Sequence, residues 1–195
     1  MTARTQTEWD ELIRRLRHRA MHSRTRAQRA YWKRALERNR RKRPAEGLSE
    51  HGARFICDFE GFSPRPYRDP VGVWTIGYGS TENVGPNTPA VTRQQALARL
   101  RREVNEQYAP PVFRAARQAK RTLNQNQADA LISAVYNLGP GVLHPSRTLG
   151  AALRKRVGWR KATADALLLY DKAVGHRLPG LTRRRKAERA LFLKP

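Results

Sequence analysis

Two carboxylates and a hydroxyl lie close together in the segment DFEGFSPRPYRDPVGVWT, where Asp69 and Thr75 follow Glu60. Cleavage of a sugar–sugar bond requires one protonated carboxyl that donates to the leaving oxygen. It also requires an ionised carboxylate that activates water or stabilises positive charge on the ring. A hydroxyl both donates and accepts hydrogen bonds, which suits it to holding that water. The residue types and their spacing therefore favour a glycosidase site.

The surroundings of the two carboxylates favour different roles. Glu60 follows an apolar helical face that includes Ile56, and a helix C-terminus and desolvation both favour the protonated form of a carboxyl. Asp69 lies between Arg68 and Pro70, where a nearby cation and solvent favour the charged form. Glu60 is therefore the candidate acid and Asp69 the candidate base. The alternative is an ordinary surface loop, because Asp before Pro commonly starts a turn.

The elements that must position these residues are a helix end before Glu60 and a β-hairpin over residues 64–80. The rest of the chain has helical periodicity, with a capping box at Thr92 and Gln95 and a long apolar-faced helix that begins near Asn124. Further helices are predicted at residues 146–154, 159–170 and 179–192. The sequence therefore predicts an α+β fold, in which a small antiparallel hairpin lobe and a larger helical lobe enclose a cleft.

The N-terminal residues form a strongly basic segment. Residues 1–46 carry 15 basic and 5 acidic side chains, a net charge of +10 out of +24 for the whole chain. Their apolar residues are spaced as on amphipathic helices. Two helices are predicted, the first with a capping box of Thr7 and Asp10 and the second beginning at Ser23 or Thr25. They are expected to pair as a hairpin or to pack on the following domain.

A linker that contains Pro44 and Gly47 separates the basic helices from the remaining chain. We therefore expect a basic helical extension over residues 1–46 and a catalytic domain over residues 47–195. The extension has three interpretations: a solvated segment docked on the enzyme, a segment attracted to an anionic envelope, or a nucleic-acid-binding segment. The third is least favoured, because no element for reading bases is visible.

The segment LSEHGARFICDFEGFSPRPYRDPVGVWTIGYGST resembles the start of the phage-type lysozymes, the endolysins of glycoside hydrolase family 24. In that family a glutamate, eight residues, an aspartate, five residues and a threonine precede a glycine-rich motif, which is Gly77-Tyr78-Gly79 here. Similar segments follow in order: VTRQQALARL, LNQNQADALISAVYNLGPG and LPGLTRRRKAERALF. The resemblance covers roughly residues 48–193.

The resemblance implies hydrolysis of the β-1,4 bond between N-acetylmuramic acid and N-acetylglucosamine in peptidoglycan, without a metal or cofactor. It implies that Glu60 is the general acid, that Asp69 positions or activates water, and that Thr75 helps to hold that water, with inversion at the anomeric carbon. A chitin-cleaving enzyme and an inactive wall-binding or virion module are the alternatives. Peptidoglycan strands are the expected partner, and a monomer is the expected state.

Several other positions follow from the resemblance. Asn137, at the end of the long helix, is expected to contact sugar or support Glu60, with a helix C-cap as the alternative. Gly77 and Tyr78 are expected to bind substrate. Many relatives have histidine where this chain has Ser80, and its acidic partner aligns with Glu103, so we expect a lost ion pair that affects stability more than chemistry. One arginine of the run at residues 183–185 is expected to approach Glu60, while the other two are solvated.

Cysteine usage and hydropathy exclude several classes of protein. Cys57 is the only cysteine, so an internal disulfide and a cysteine metal cluster are impossible, and we expect a small buried apolar side chain. No run approaches the eighteen or so apolar residues of a membrane span. The N-terminus lacks a secretory apolar region. The expectation is therefore synthesis in a bacterial cytoplasm and action on the cell wall after release.

Overall fold

The computed structural model describes residues 6–42 and 45–195. The chain divides into two compact units, one within residues 1–44 and the other over residues 45–194. Pro44, which belongs to the predicted linker, lies outside the described residues. None of the helices in the described ranges combines the length and apolarity needed to cross a bilayer.

The first unit is a pair of helices, α1 (Gln6–His22) and α2 (Arg26–Lys42), which pack against each other. Thr25 caps α2, because its hydroxyl accepts from the Gln28 amide at 3.1 Å. The capping box predicted at Thr7 is wrong, since α1 begins at Gln6 and Thr7 lies inside its first turn. The apolar side chains buried in this unit are Trp9, Ile13, Leu16, Ala20 and Ala35.

The second unit combines a β-hairpin with a larger set of helices, which confirms the predicted α+β architecture. Chain order begins with α3 (Glu50–Cys57), β1 (Ser63–Arg68), β2 (Trp74–Gly77), α4 (Arg93–Gln107) and α5 (Ala109–Gln118). It continues with α6 (Gln125–Leu138), a 3₁₀ turn (Pro140–Leu143), α7 (Thr148–Arg154), α8 (Trp159–Leu167), β3 (Lys172–Ala173), β4 (His176–Arg177) and α9 (Pro179–Leu193).

Helix α6 is the centre of the helical lobe. Every residue from 127 to 135 is buried, and α3, α5 and α9 pack around it. Capping boxes begin α6 at Asn124 with Gln127 and α4 at Thr92 with Gln95. Helix α6 is therefore the buried helix against which α3 and α9 pack.

Strands β1 and β2 pair antiparallel, with Tyr67 opposite Thr75 and an irregularity in register between Ser63 and Tyr67. The hairpin of β3 and β4 was not predicted, because two-residue strands show no periodicity. Its turn contains Val174 and Gly175 at φ of 49° and 79°. Helix α5 also lacked a prediction, although its early prolines fit the first turn of a helix.

Candidate active site

The three predicted catalytic side chains line a single cleft of about 370 Å³. Glu60, Asp69 and Thr75 all contribute to its wall, as does Asn137. The sequence-based grouping of these residues is thus matched by their position. Further lining side chains include Glu103, Tyr108 and Tyr136, of which only Glu103 was singled out from the sequence.

Asp69 is held by the backbone of its own turn. Its Oδ1 accepts from the amides of Val71 at 3.0 Å and Val73 at 2.8 Å. The Asp69 amide in turn donates to the Val73 carbonyl at 3.0 Å. Among the described residues its Oδ2 has no hydrogen-bond partner. One carboxylate oxygen thus fixes the turn, and the other is left for a ligand or water.

Thr75 is buried on β2, with 4% of its surface exposed. Its hydroxyl donates to the Val73 carbonyl at 3.1 Å. Because the hydroxyl hydrogen is used there, the lone pairs of Oγ1 remain available to accept from a bound water. Val73 therefore orients both Asp69, through its amide, and Thr75, through its carbonyl.

Glu60 lies three residues beyond the end of α3, and its side chain is 26% exposed. Arg184 of α9 donates from Nη1 to Glu60 Oε1 at 2.8 Å, and the arginine side chain is only 5% exposed. The sequence therefore predicted correctly that one arginine of the run approaches Glu60. The ion pair therefore joins a buried guanidinium to a carboxylate that is partly exposed in the cleft.

The other two arginines of the run were predicted to be solvated, and this is wrong for one of them. Arg183 is exposed, but Arg185 is completely buried, and burial lowers its pKa. Arg185 Nη2 donates to Asn137 Oδ1 at 3.1 Å and to Glu188 Oε1 at 2.9 Å. The alternative that Asn137 caps its helix is also wrong, because Gly139 is the C-cap of α6.

The acidic residue expected opposite Ser80 is indeed Glu103. Ser80 Oγ donates to Glu103 Oε2 at 2.7 Å, and Arg99 Nε donates to Oε1 at 2.9 Å. Ser80 thus supplies Glu103 with a hydrogen bond, while Arg99 supplies a cation from the same helix as Glu103. The expected loss of an ion pair is therefore corrected, because Glu103 keeps one.

The structure does not place Gly77 or the Tyr78 side chain in the cleft. Gly77 has φ of 68°, and a Cβ there would lie 2.9 Å from Ala96 Cβ, so its role is close packing. Tyr78 packs against Phe62, with ring centroids 5.1 Å apart. Its carbonyl accepts from the hydroxyl of Tyr136 at 3.3 Å. Burial raises the pKa of Tyr136, which keeps that hydroxyl a donor.

Cys57 is only half-buried, whereas the sequence predicts a buried side chain. Burial, with the charges of Asp58 and Glu60, raises the pKa of its thiol to about 11. A neutral thiol is a poor nucleophile. In the described ranges, no group of three or more His, Cys, Asp or Glu side chains could hold a metal ion.

A helical lobe, a small hairpin and one cleft lined by a partly exposed glutamate, an aspartate and a threonine are the features of a lysozyme-type glycoside hydrolase. The family model described as Phage lysozyme matches residues 57–188. The chain therefore belongs to the phage lysozyme family, and it is an endolysin-type enzyme.

Individual relatives agree with this assignment. The endolysin of Acyrthosiphon pisum secondary endosymbiont phage 1 is 36% identical over 150 residues, which span 74% of this chain and 97% of the relative. Among solved structures, the muramidase domain of SpmX from Asticaccaulis excentricus is 31% identical, with a TM-score of 0.65 over 77% of this chain and all of that domain. The active form of P1 phage endolysin Lyz is 28% identical, with a TM-score of 0.62 over 75% of this chain and 84% of the other.

Proposed function

We propose that the cleft hydrolyses the β-1,4 bond between N-acetylmuramic acid and N-acetylglucosamine in peptidoglycan. Glu60 protonates the leaving oxygen as general acid. Asp69 activates or positions a water through its Oδ2, and Thr75 accepts a hydrogen bond from that water. The sugar's anomeric carbon is inverted, because the water attacks the face opposite the leaving group.

The observation that carries this proposal is the presence of Glu60, Asp69 and Thr75 on one cleft. The fixed turn at Asp69 supports the assignment, because it aims a carboxylate without using both oxygens. Asn137 is proposed to contact the sugar, since it lines the cleft while Arg185 holds its carbonyl oxygen. Endolysins act on the bacterial cell wall; synthesis in the cytoplasm and later release stay predictions from the sequence.

The test uses Glu60→Gln, which keeps the side-chain shape and removes the acidic proton. We expect at least a 100-fold loss of reducing-end release from purified peptidoglycan. Glu106→Gln is the matched control, because Glu106 is exposed on α4 and should leave the rate unchanged. Nuclear magnetic resonance of the first product anomer reports the stereochemistry. A fully active Glu60→Gln enzyme would rule out the acid role, and a retained anomer would rule out inversion.

We also propose that the basic helices α1 and α2 attach the enzyme to anionic polymers of the envelope. Their buried apolar side chains are Trp9, Ile13, Leu16, Ala20 and Ala35, while Met21 and Tyr31 are exposed. The outer surface of the described residues of this pair is nevertheless rich in exposed arginine. Such a surface concentrates the enzyme on a polyanion without inserting into a bilayer. Screening limits the attraction to about 8 Å at physiological ionic strength, so the benefit should fade with added salt.

This attachment is tested in the full chain by replacing four exposed arginines of the helical pair with glutamine: Arg17, Arg24, Arg34 and Arg38. We expect at least a fivefold loss of lysis of intact cells at low salt, with purified-peptidoglycan hydrolysis changed less than twofold. An equal loss in both assays would contradict the proposal. The control removes the same charge from the other unit, at Arg114, Arg117, Arg156 and Arg160.

A further inference from the structure

A fully buried carboxylate lies behind the cleft and belongs to none of the roles above. Glu188 of α9 has no exposed surface. Its Oε1 accepts from Ser133 Oγ at 2.7 Å, from Arg185 Nη2 at 2.9 Å and from Arg184 Nε at 3.2 Å. Three donors thus converge on one oxygen of a single side chain.

The same two arginines reach the wall of the cleft. Arg184 donates to Glu60 from Nη1, and Arg185 donates to Asn137 from Nη2. Arg184 therefore links Glu188 to Glu60, and Arg185 links it to Asn137. No direct contact with a substrate is possible for it, because it is completely enclosed.

The hydrogen bonding of this cluster is incomplete in a particular way. Glu188 Oε2 and the Nε and Nη1 atoms of Arg185 are buried without partners in the described part of the chain. Arg185 and Glu188 therefore do not form the bidentate pair that maximises stability. Buried polar atoms that lack a partner cost free energy.

We propose that Glu188 is a positioning residue for the reaction, because it shares the charge of Arg184 with Glu60 and leaves Glu60 able to hold its proton. The inference rests on the proposed acid role of Glu60. Without the second carboxylate, the full charge of Arg184 would act on Glu60 alone and favour its ionised form. Through Arg185, the same residue also fixes the orientation of Asn137.

Opposing influences act on the ionisation of Glu188. Arg184 and Arg185 face Glu188; burial raises the pKa of Glu188, while both guanidiniums and the Ser133 hydroxyl oppose the rise. Glu60 faces Arg184 directly. The other titratable groups near Glu60, on α3, the hairpin, α4 and α6, are Cys57, Asp58, Tyr67, Asp69, Glu82, Glu103, Tyr108 and Tyr136. Arg184 is thus the cation shared by the two glutamates.

The first test is the pH dependence of hydrolysis by Glu188→Gln, which keeps the shape of the side chain and removes its charge. We expect the alkaline limb of the activity profile to move to lower pH by about one unit. This is the low end of the pKa change that one neighbouring opposite charge causes in a carboxyl. KM should change less than twofold. Asp129→Asn is the control, because Asp129 is a buried carboxylate on a different helix, α6. This variant should leave the pH profile of activity unchanged.

A second variant guards against simple misfolding of the first. Arg185→Leu combined with Glu188→Leu replaces the buried pair by apolar side chains, a change that proteins often tolerate. It also leaves Arg184 to interact with Glu60 alone, so a shift in the same direction is expected. Folded variants with the wild-type profile would overturn the proposal and leave Glu188 a structural residue. Activity that survives in Glu60→Gln would instead overturn the proposed function itself.

The wild-type enzyme supplies an independent measurement if neither variant folds. Carboxyl carbons of Glu60 and Glu188 can be titrated by nuclear magnetic resonance. The proposal requires that Glu188 be ionised throughout the pH range of activity. A protonated Glu188 across that range would overturn it, because a neutral carboxyl cannot share the charge of Arg184.

Discussion

The two walls of the cleft are held in place by different means. On the hairpin wall, Asp69 and Thr75 bond to backbone groups two to four residues away. On the helical wall, Glu60 and Asn137 are held by guanidiniums 124 and 48 residues away in the chain. The first wall therefore depends on a local turn, and the second depends on the packing of α9 against α6.

Because of this difference, the loss of one contact should have a different free-energy cost in each wall. A local turn that loses one hydrogen bond costs about 0.5–1.5 kcal/mol, since water replaces the missing partner. A buried ion cluster that loses one charge costs about 3–5 kcal/mol, because the remaining charge stays unpaired. Substitutions in the two walls should therefore differ most in their effect on stability.

The largest effect is expected for Arg184→Met on the helical wall. The variant leaves the buried Glu188 with less compensation and removes the partner of Glu60. We expect the free energy of unfolding to fall by about 3–5 kcal/mol in urea denaturation. Arg183→Met is the matched control on the exposed side of α9, with a change within about 0.5 kcal/mol. Equal effects of the two variants would remove the proposed difference between the walls.

An intermediate effect is expected where the strand end meets α4. Ser80→Ala removes the hydroxyl that donates to the buried Glu103, while Arg99 remains. The free energy of unfolding should fall by about 1–3 kcal/mol, measured by thermal or urea denaturation. Thr81→Ala on the exposed neighbouring position is the control. A stability equal to wild type would show that water replaces the Ser80 hydroxyl.

A smaller effect on stability is expected in the hairpin wall. Asp69→Asn keeps the Oδ1 acceptor for the amides of Val71 and Val73, so the free energy of unfolding should change by less than about 0.5 kcal/mol. Asp69→Ala removes both bonds and should cost about 1–2 kcal/mol. Both variants should lose hydrolysis. An Asn variant as unstable as the Ala variant would show that charge, rather than the turn bonds, holds this wall.

The smallest effect concerns the pH dependence of stability at the start of α3. Burial raises the pKa of Asp129, although donors from Ser49 and Gln125 oppose the rise. A carboxyl with a raised folded-state pKa contributes stability that is complete below its unfolded pKa, about 3.9. That contribution is lost as the pH rises through the folded value. Relative to Asp129→Asn, wild type should therefore lose free energy of unfolding as the pH rises from about 4.

Urea denaturation of both proteins at several pH values between 4 and 7 measures this difference. Asp165→Asn is an informative control, because hydrogen bonds from Lys161 and Arg189 lower the pKa of Asp165. Its contribution is complete above the unfolded pKa and is lost only as the pH falls below it. The difference between wild type and Asp165→Asn should therefore stay nearly constant between about pH 4 and 7. A difference between wild type and Asp129→Asn that stays constant with pH would contradict the assignment.

The contrast between the walls also explains which features the sequence could predict. The Glu60, Asp69 and Thr75 spacing lies within a short segment, and the capping box at Thr92 and the helix start near Asn124 are local patterns, so all of these could be predicted. The approach of one arginine to Glu60 came from the family resemblance alone. Local spacing cannot indicate which of three consecutive arginines turns inward.

The features that were missed depend on three-dimensional packing. Arg185 and Glu188 look like residues of a solvated helix face, and only the contact of α9 with α6 buries them. Tyr136 enters the cleft because α6 ends there. A signal for the buried pair existed in the spacing of Arg184 and Glu188, four residues apart, which places both on one helical face. The burial of this pair could not be predicted from the charge pattern of the sequence.

The distance in sequence between Glu60 and Arg184 also sets an order of events during protein synthesis. A ribosome that adds about 5–20 residues per second makes Glu60 roughly 6–25 s before the residue that pairs with it, 124 positions later. Throughout that interval the hairpin can close on itself, but the ion pair at the acid cannot exist. The contacts that hold the helical wall therefore cannot form in the nascent chain until α9 has been made.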